Sequence, residues 1–204
     1  MNQAAVKLPA AIVTLCDEHR YMNLLVETLE KHFKEMVDPD VGDYFLMQDI
    51  IRYMHDYSDA VHHPTEDLMF DKLVKRNPAR KKDVDRLRRE HDYLDKNTGD
   101  LKKLIKKAKD GQSPDDAEAV KVAAKKYIKR LRRHMKYEED ELFPSAIRCL
   151  AHKDWHSIEL SLDAADDPLF GQNVQKEYRV LYEYFADRSE PVSYTHLTLP
   201  TKES

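Results

Sequence analysis

The sequence predicts an all-α protein, an up-down-up-down four-helix bundle with two short C-terminal helices. Only 4 of its 204 residues are glycine, whereas sheets and hairpins need glycine in their turns. Apolar side chains recur at steps of three and four along most of the chain, which is the period of one helix face. The breaks between these stretches are short, so consecutive helices must run antiparallel.

Turn-forming residues delimit the first two helices. An apolar stripe over residues 12–33 predicts the first helix, which should end near Val37 because Asp38-Pro39-Asp40-Val41-Gly42 follows. A second stripe over residues 51–73 predicts a helix that ends before Asn77-Pro78.

The third and fourth helices have equally clear boundaries. The third stripe covers residues 84–105, and its helix should end at Asp110-Gly111. The fourth helix should begin at Ser113, an N-cap residue type, with Pro114 in the first helical position. Its stripe covers residues 120–142.

The remaining chain is expected to form a helical appendage. We assign residues 1–150 to the bundle and residues 151–191 to the appendage, with short helices at 154–165 and 174–188 on either side of Asp166-Asp167-Pro168. The stretch from residue 192 to 204 is Thr-rich and has no helical period. Its VSYTHLTLPT segment resembles a translated sequencing adapter, so we expect it to be non-native; the alternative is an ordinary disordered tail.

Composition excludes several classes of function. The 34 basic and 38 acidic residues leave a net charge of −4, whereas a dedicated nucleic-acid binder carries a basic excess. No apolar run reaches the roughly 20 residues of a membrane span, and the first residues lack the pattern of a signal peptide. Two cysteines do not make a disulfide framework. We therefore expect a soluble, cytoplasmic protein without nucleic-acid or membrane partners.

Each predicted bundle helix carries one histidine on its apolar stripe. These are His19, His62, His91 and His134, and Glu66 and Glu138 follow the second and fourth of them by four residues. Residues four apart share a helix face, so each pair aims imidazole and carboxylate at one point. Burying such groups costs several kcal/mol unless they are paired or bind a metal.

The four histidines are also predicted to lie at one level of the bundle. His19 and His62 lie 21 and 22 residues from a hinge at residue 40. His62 and His91 lie 15 and 14 residues from a hinge at residue 77, and His91 and His134 lie 21 and 22 residues from a hinge at residue 112. A mismatch of one residue is about 1.5 Å along a helix. The sequence thus predicts a metal site in the core.

The predicted ligand set narrows the choice of metal. Imidazole and carboxylate without cysteine suit iron, zinc or manganese. Two carboxylates able to bridge, with four imidazoles, suit two ions better than one. On a pair of irons they leave coordination positions open for water, dioxygen or nitric oxide.

The motifs around these residues resemble those of hemerythrin-like, or HHE cation-binding, proteins. The resemblance covers roughly residues 10–150 and lies in DEHRYM, HHPTEDLMF, EHDYL and HMKYEEDELFP. It implies a four-helix bundle with a non-haem, carboxylate-bridged centre of two Fe ions. By this match the four histidines would be iron ligands, and Glu66 and Glu138 would be bridging carboxylates.

The sequence departs from the oxygen-carrying hemerythrins on the third and fourth helices. His91 is followed by Asp95 where those proteins have a second histidine, and Glu138 follows His134 at four residues where they have an aspartate at five. This favours the bacterial di-iron branch. The expected function is binding or response to dioxygen or nitric oxide, or iron handling, with a small gaseous or peroxide ligand. The alternative is an enzyme for peroxide or nitric oxide detoxification or iron-sulfur cluster repair, for which no catalytic residue can be named.

Four further residues near the predicted site have open roles. His55 lies about 10 Å along the axis from His62 and is expected to be a core or entrance histidine. His63 should face outward or support a ligand, and Asp95 is either a solvated carboxylate or a substitute ligand. Pro64 removes a backbone donor and should kink the second helix.

Overall fold

A computed structural model describes residues 8–35, 41–111, 113–162 and 167–188. The described residues contain helices and no strands, which confirms the predicted all-α fold class. The helices are α1 (Ala10–Glu35), α2 (Val41–Tyr53, Met54–His62 and His63–Arg76), α3 (Lys81–Gly111), α4 (Pro114–Tyr137, Glu138–Leu142 and Phe143–Cys149), α5 (His152–Leu162) and α6 (Arg179–Arg188). Short 3₁₀ turns, Pro78–Arg80 and Lys176–Tyr178, precede α3 and α6.

Helices α1 to α4 form the bundle. Helix α1 packs against α2 and α4, and α3 packs against the same two helices. Each long helix therefore has two neighbours and turns one face to a common core.

Most predicted helix boundaries agree with the structure. Helix α2 ends at Arg76, α3 ends at Gly111, and Ser113 adopts an extended conformation as the N-cap before Pro114. The predicted end of the first helix near Val37 lies outside the described residues. The prediction that Gly42 lies in a break is wrong, because it lies in the first turn of α2.

Helices α2 and α4 each contain a π-helical segment followed by a proline. The segment Met54–His62 closes with the His63 amide donating to the Ser58 carbonyl, and Pro64 follows. The segment Glu138–Leu142 closes with the Phe143 amide donating to the Glu138 carbonyl, and Pro144 follows. A proline ring clashes with the carbonyl four residues earlier in an α-helix. At Pro64, where the sequence predicts a kink, the helix contains a wider π turn directly before the proline.

The bundle core consists of two apolar clusters separated by a polar layer. One cluster contains the buried apolar side chains of α1 from Met22 onward and of α3 from Leu94 onward. The other contains those of α1 up to Leu15 and of α3 up to Leu87. We call the part between them the metal layer. It contains His19, His62, Glu66, His91, His134 and Glu138.

The chain after Cys149 shares these two clusters. Trp155 and Ile158 of α5 belong to one cluster, while Leu169, Tyr178 and Leu181 belong to the other. Helix α5 begins two residues before the helix predicted at 154–165, whose last residues lie outside the described part. Helix α6 falls within the helix predicted at 174–188. The division between bundle and appendage stays a prediction, and the tail from residue 192 lies outside the described residues.

None of the helices in the described ranges has the length and hydropathy of a membrane span.

Candidate metal centre

The metal layer brings together all six residues that the sequence nominates as ligands. His19 comes from α1, His62 and Glu66 from α2, His91 from α3, and His134 and Glu138 from α4. None is more than 6% exposed. The predicted common level of the four histidines is therefore present in the fold.

Glu66 points its two carboxylate oxygens at different histidines. Its Oε1 lies 3.4 Å from Nε2 of both His19 and His62. Its Oε2 lies 3.5 Å from Nε2 of His91. The carboxylate thus lies between one pair of imidazoles and a third imidazole.

Glu138 repeats this division from the opposite helix. Its Oε2 lies 3.5 Å from His19 Nε2, whereas its Oε1 lies 3.2 Å from His134 Nε2 and 3.6 Å from His91 Nε2. We call the space between His19, His62 and the two carboxylates position 1. The space between His91, His134 and the same carboxylates is position 2.

Most of the atoms that face these positions lack hydrogen-bond partners. Among the described residues, both carboxylate oxygens of Glu66 and of Glu138 make no hydrogen bond, and neither does Nε2 of His19, His91 or His134. Leaving a buried polar atom unpaired costs about 1–3 kcal/mol, more for a charged group. A cation between these atoms removes that cost, so the donor set fits metal ions.

A ring of carboxylates lies beside the outer nitrogens of the four histidines, and three of these nitrogens are hydrogen-bonded to it. Nδ1–H of His19 donates to Glu139 Oε1 at 2.8 Å, that of His62 to Glu18 Oε2 at 2.5 Å, and that of His134 to Glu90 Oε2 at 3.2 Å. His91 Nδ1 lies 3.5 Å from Asp67 Oδ1. Metal-binding histidines characteristically have such a partner, which fixes the ring so that the other nitrogen faces the metal.

The ring runs from helix to helix in chain order. Helix α1 supplies the carboxylate for the histidine of α2, α2 for α3, α3 for α4, and α4 for α1. Sequence reasoning missed all four acids. A signal was present, since each lies directly beside a nominated ligand: Glu18, Asp67, Glu90 and Glu139.

The interactions within the metal layer shift the pKa values of its groups. Burial alone would lower the pKa of His62, but the charge of Glu66 and the hydrogen bond to Glu18 raise it to about 10. Burial is similarly outweighed by carboxylates at His91, whose pKa rises to about 12, and at His134, whose pKa rises to about 9. Burial would raise the pKa of Glu66, but the charge of His62 and the contacts with the other imidazoles lower it well below its usual value.

Comparison with protein families matches the chain to the model of the hemerythrin HHE cation-binding domain over residues 10–146. The match covers well over half of the chain and spans all four helices of the metal layer. The chain belongs to the hemerythrin HHE cation-binding family. Comparisons with curated proteins and with solved structures give no match. Membership of this family and the buried His/Glu cluster identify a metal-binding protein.

Two residues near the predicted site lie outside the metal layer of this HHE domain. His55 is 40% exposed and donates from Nδ1 to Asp56 at 2.9 Å. Asp95 is 61% exposed, and its nearest ionic partner, at 3.9 Å, is His55 Nε2. Asp95 is thus a solvated carboxylate at the surface, and His55 is a partly exposed surface histidine.

The side chain of His63 is buried in the HHE domain, whereas the sequence left open whether it faces outward or supports a ligand. Only 4% of it is exposed, and a ring nitrogen lies within 4.8 Å of ligand atoms of Glu66, His91 and His134. Burial, reinforced by the charge of His91, lowers the pKa of His63 well below its usual value. His63 is therefore a neutral imidazole inside the metal layer.

Proposed function

We propose that this HHE protein binds two iron ions, one at position 1 and one at position 2, with Glu66 and Glu138 bridging them. Through this centre it binds or responds to dioxygen or nitric oxide, or handles iron. The observation that carries the proposal is the division of each carboxylate between two groups of imidazoles. A site for one ion would turn both oxygens of a carboxylate toward the same place.

The donor set supports iron as the metal. It consists of imidazole nitrogens and carboxylate oxygens, a mixture that suits iron, zinc or manganese and differs from a thiolate site. At position 1 the residues named so far supply two imidazoles and one oxygen from each glutamate. This leaves room on a six-coordinate ion for a small ligand such as dioxygen, nitric oxide or peroxide.

The proposal is tested by metal content and absorption of the aerobically purified protein. We expect two irons per chain and the charge-transfer bands of a bridged ferric pair, with spectral changes when the reduced protein is titrated with nitric oxide. A protein that binds one zinc, or one that contains no metal and is no more stable after iron is added, would contradict the proposal.

The iron content of three alanine variants tests where along the bundle axis the site lies. His62→Ala and Glu138→Ala should each lose iron, because each removes a group that faces the centre. His55→Ala should retain both ions, because His55 lies at the surface. Equal iron loss in all three variants would mean that the site has been misplaced.

One contact supports an enzymatic alternative, the reduction of peroxide or nitric oxide. The Tyr57 hydroxyl donates to Glu18 Oε1 at 2.7 Å, and Glu18 in turn accepts from His62. This buried string of phenol, carboxylate and imidazole is suited to holding a proton beside position 1. On this alternative, Tyr57→Phe should slow peroxide or nitric oxide turnover while iron content stays at the wild-type value.

A further inference from the structure

Three buried tyrosines lie in a row between the metal layer and the surface of the bundle. Tyr57 and Tyr53 belong to α2, and Tyr178 belongs to the 3₁₀ turn before α6. The rings of Tyr57 and Tyr53 are stacked with centroids 5.5 Å apart, and the ring of Tyr178 meets that of Tyr53 edge-on at 5.9 Å. None of the three is more than 5% exposed. We call these residues the tyrosine row.

Each phenol of the tyrosine row donates its hydroxyl hydrogen to a carboxylate. From the metal layer outward, the acceptors are Glu18 for Tyr57 at 2.7 Å, Asp167 for Tyr53 at 2.7 Å and Asp56 for Tyr178 at 3.2 Å.

The two ends of the tyrosine row have different surroundings. At the inner end, Glu18 also accepts a hydrogen bond from His62, whose Nε2 faces position 1. At the outer end, the carboxylate of Asp56 is 44% exposed, so its protons exchange with solvent. The row thus connects position 1 with the surface.

We propose that the tyrosine row conducts electrons from the surface to the metal layer when hydrogen peroxide is reduced there. The inference rests on the enzymatic alternative of the proposed function. Two irons would supply the place at which peroxide takes up two electrons, and two protons from solvent, to become two water molecules. Each electron leaves Tyr57 and is replaced from Tyr53 and then from Tyr178. A one-electron reductant in solution, such as ascorbate, restores Tyr178.

The carboxylates provide the place for the proton at every step. A phenol that lost only an electron would become a buried cation, which costs much free energy. If the O–H bond breaks at the same time and the proton moves to the carboxylate, the products are a neutral radical and a neutral carboxylic acid. When the next electron arrives, the proton returns to the phenol. Electron and proton therefore balance at each tyrosine.

Hydrogen bonding of buried phenols alone accounts less well for this arrangement. Tyr127 is also buried, and its hydroxyl has no hydrogen-bond partner among the described residues. The fold thus does not require a carboxylate at every buried phenol. Burying a carboxylate costs free energy, yet Glu18 and Asp167 both lie buried beside the tyrosine row.

Electron paramagnetic resonance tests whether the inner tyrosine gives up an electron. Iron-loaded protein containing ring-deuterated or ordinary tyrosine is mixed with hydrogen peroxide and frozen. We expect a tyrosyl radical in the wild type and in the control Tyr127→Phe, and its loss in Tyr57→Phe. Zn²⁺-loaded wild type should give no radical, because Zn²⁺ has no redox chemistry.

Ascorbate tests the outer part of the tyrosine row. It should remove the radical from the wild type and from Tyr127→Phe. In Tyr53→Phe and Tyr178→Phe the radical should remain, because phenylalanine retains the ring but lacks the hydroxyl that gives up the proton. Two separate variants keep the test valid if one of them does not fold.

Three results would each overturn the inference while the proposed iron binding stands. They are two bound irons without a tyrosyl radical, a radical that is unchanged in Tyr57→Phe, and equal removal by ascorbate in the wild type and the folded outer variants. A wild-type protein that binds no iron would overturn the proposed function, and this inference with it.

Discussion

Single imidazoles of the metal layer hold protons that a metal ion has to displace. In the metal-free protein the pKa values of His62, His91 and His134 are about 10, 12 and 9, so all three rings are charged at pH 7. A metal ion binds the neutral ring, so protons leave when it binds. The apparent affinity for metal should therefore rise with pH.

We expect Zn²⁺ binding to metal-free protein at pH 7 to release more than one proton per chain. Calorimetric titration in two buffers of different ionisation enthalpy measures that number. His62→Ala should release about one proton fewer, because one charged ring is absent. Binding without proton release would show that the rings are already neutral.

The residue scale also shows where sequence reasoning stops. Helical periodicity and the distances from hinges predict that six residues meet in one layer, and they do; their role as ligands stays a prediction. The four orienting acids could not be assigned in this way, because each acts on a histidine of the next helix and side chains beside a ligand point away from it. For His63 the sequence left an outward and a supporting position open, because consecutive residues diverge on an α-helix. The π-helical segment Met54–His62 directly before it contains a wider turn, which a regular helical period does not anticipate.

At the scale of elements, the carboxylate ring links all four bundle helices through the metal layer. Each link crosses between two helices, so a change in one helix alters the histidine of another. Glu139 of α4 illustrates this, because it contacts His19 across the bundle although the two residues are 120 positions apart in the chain.

Glu139→Gln should weaken metal binding about ten- to a hundredfold, as loss of an orienting carboxylate commonly does. The matched control is Glu141→Gln on the same helix, since Glu141 lies 3.7 Å from Arg80 and is similarly exposed, 50% against 45% for Glu139. Chelator competition compares the two variants. Equal affinities would show that the hydrogen bond to His19 has no part in metal binding.

At the scale of the whole molecule, protons and metal ions compete for the same imidazole nitrogens, and either of them stabilises the folded bundle. The histidine pKa values are raised from 6.5, so their contribution to stability is fully present below pH 6.5. It declines as the pH rises above 6.5 and is gone above about 9 and 10, because between these values the folded form still holds protons that the unfolded form has already lost. The stability that comes from the lowered pKa of Glu66 is fully present above its usual value of 4.5, and it is lost only as the pH falls below that value.

The metal-free protein should therefore unfold at a lower temperature at pH 8.5 than at pH 6.5. The unfolding temperature of the Zn²⁺-loaded protein should fall much less over the same pH range, because a metal ion takes the place of the protons. Thermal unfolding followed by circular dichroism at both pH values measures the gap between the two forms. A gap that narrows as the pH rises would contradict the pKa values of the metal layer.

The closed ring of carboxylates also bears on the order of events during synthesis. A nascent chain folds from its N-terminal end as it emerges, and His19 is made long before Glu138 and Glu139. Until α4 has been translated, position 1 lacks a carboxylate oxygen and position 2 lacks both an imidazole and a carboxylate oxygen. A nascent chain that has not yet reached α4 consequently has no complete centre to load, and metal can fill the centre only once the fourth helix has joined the bundle.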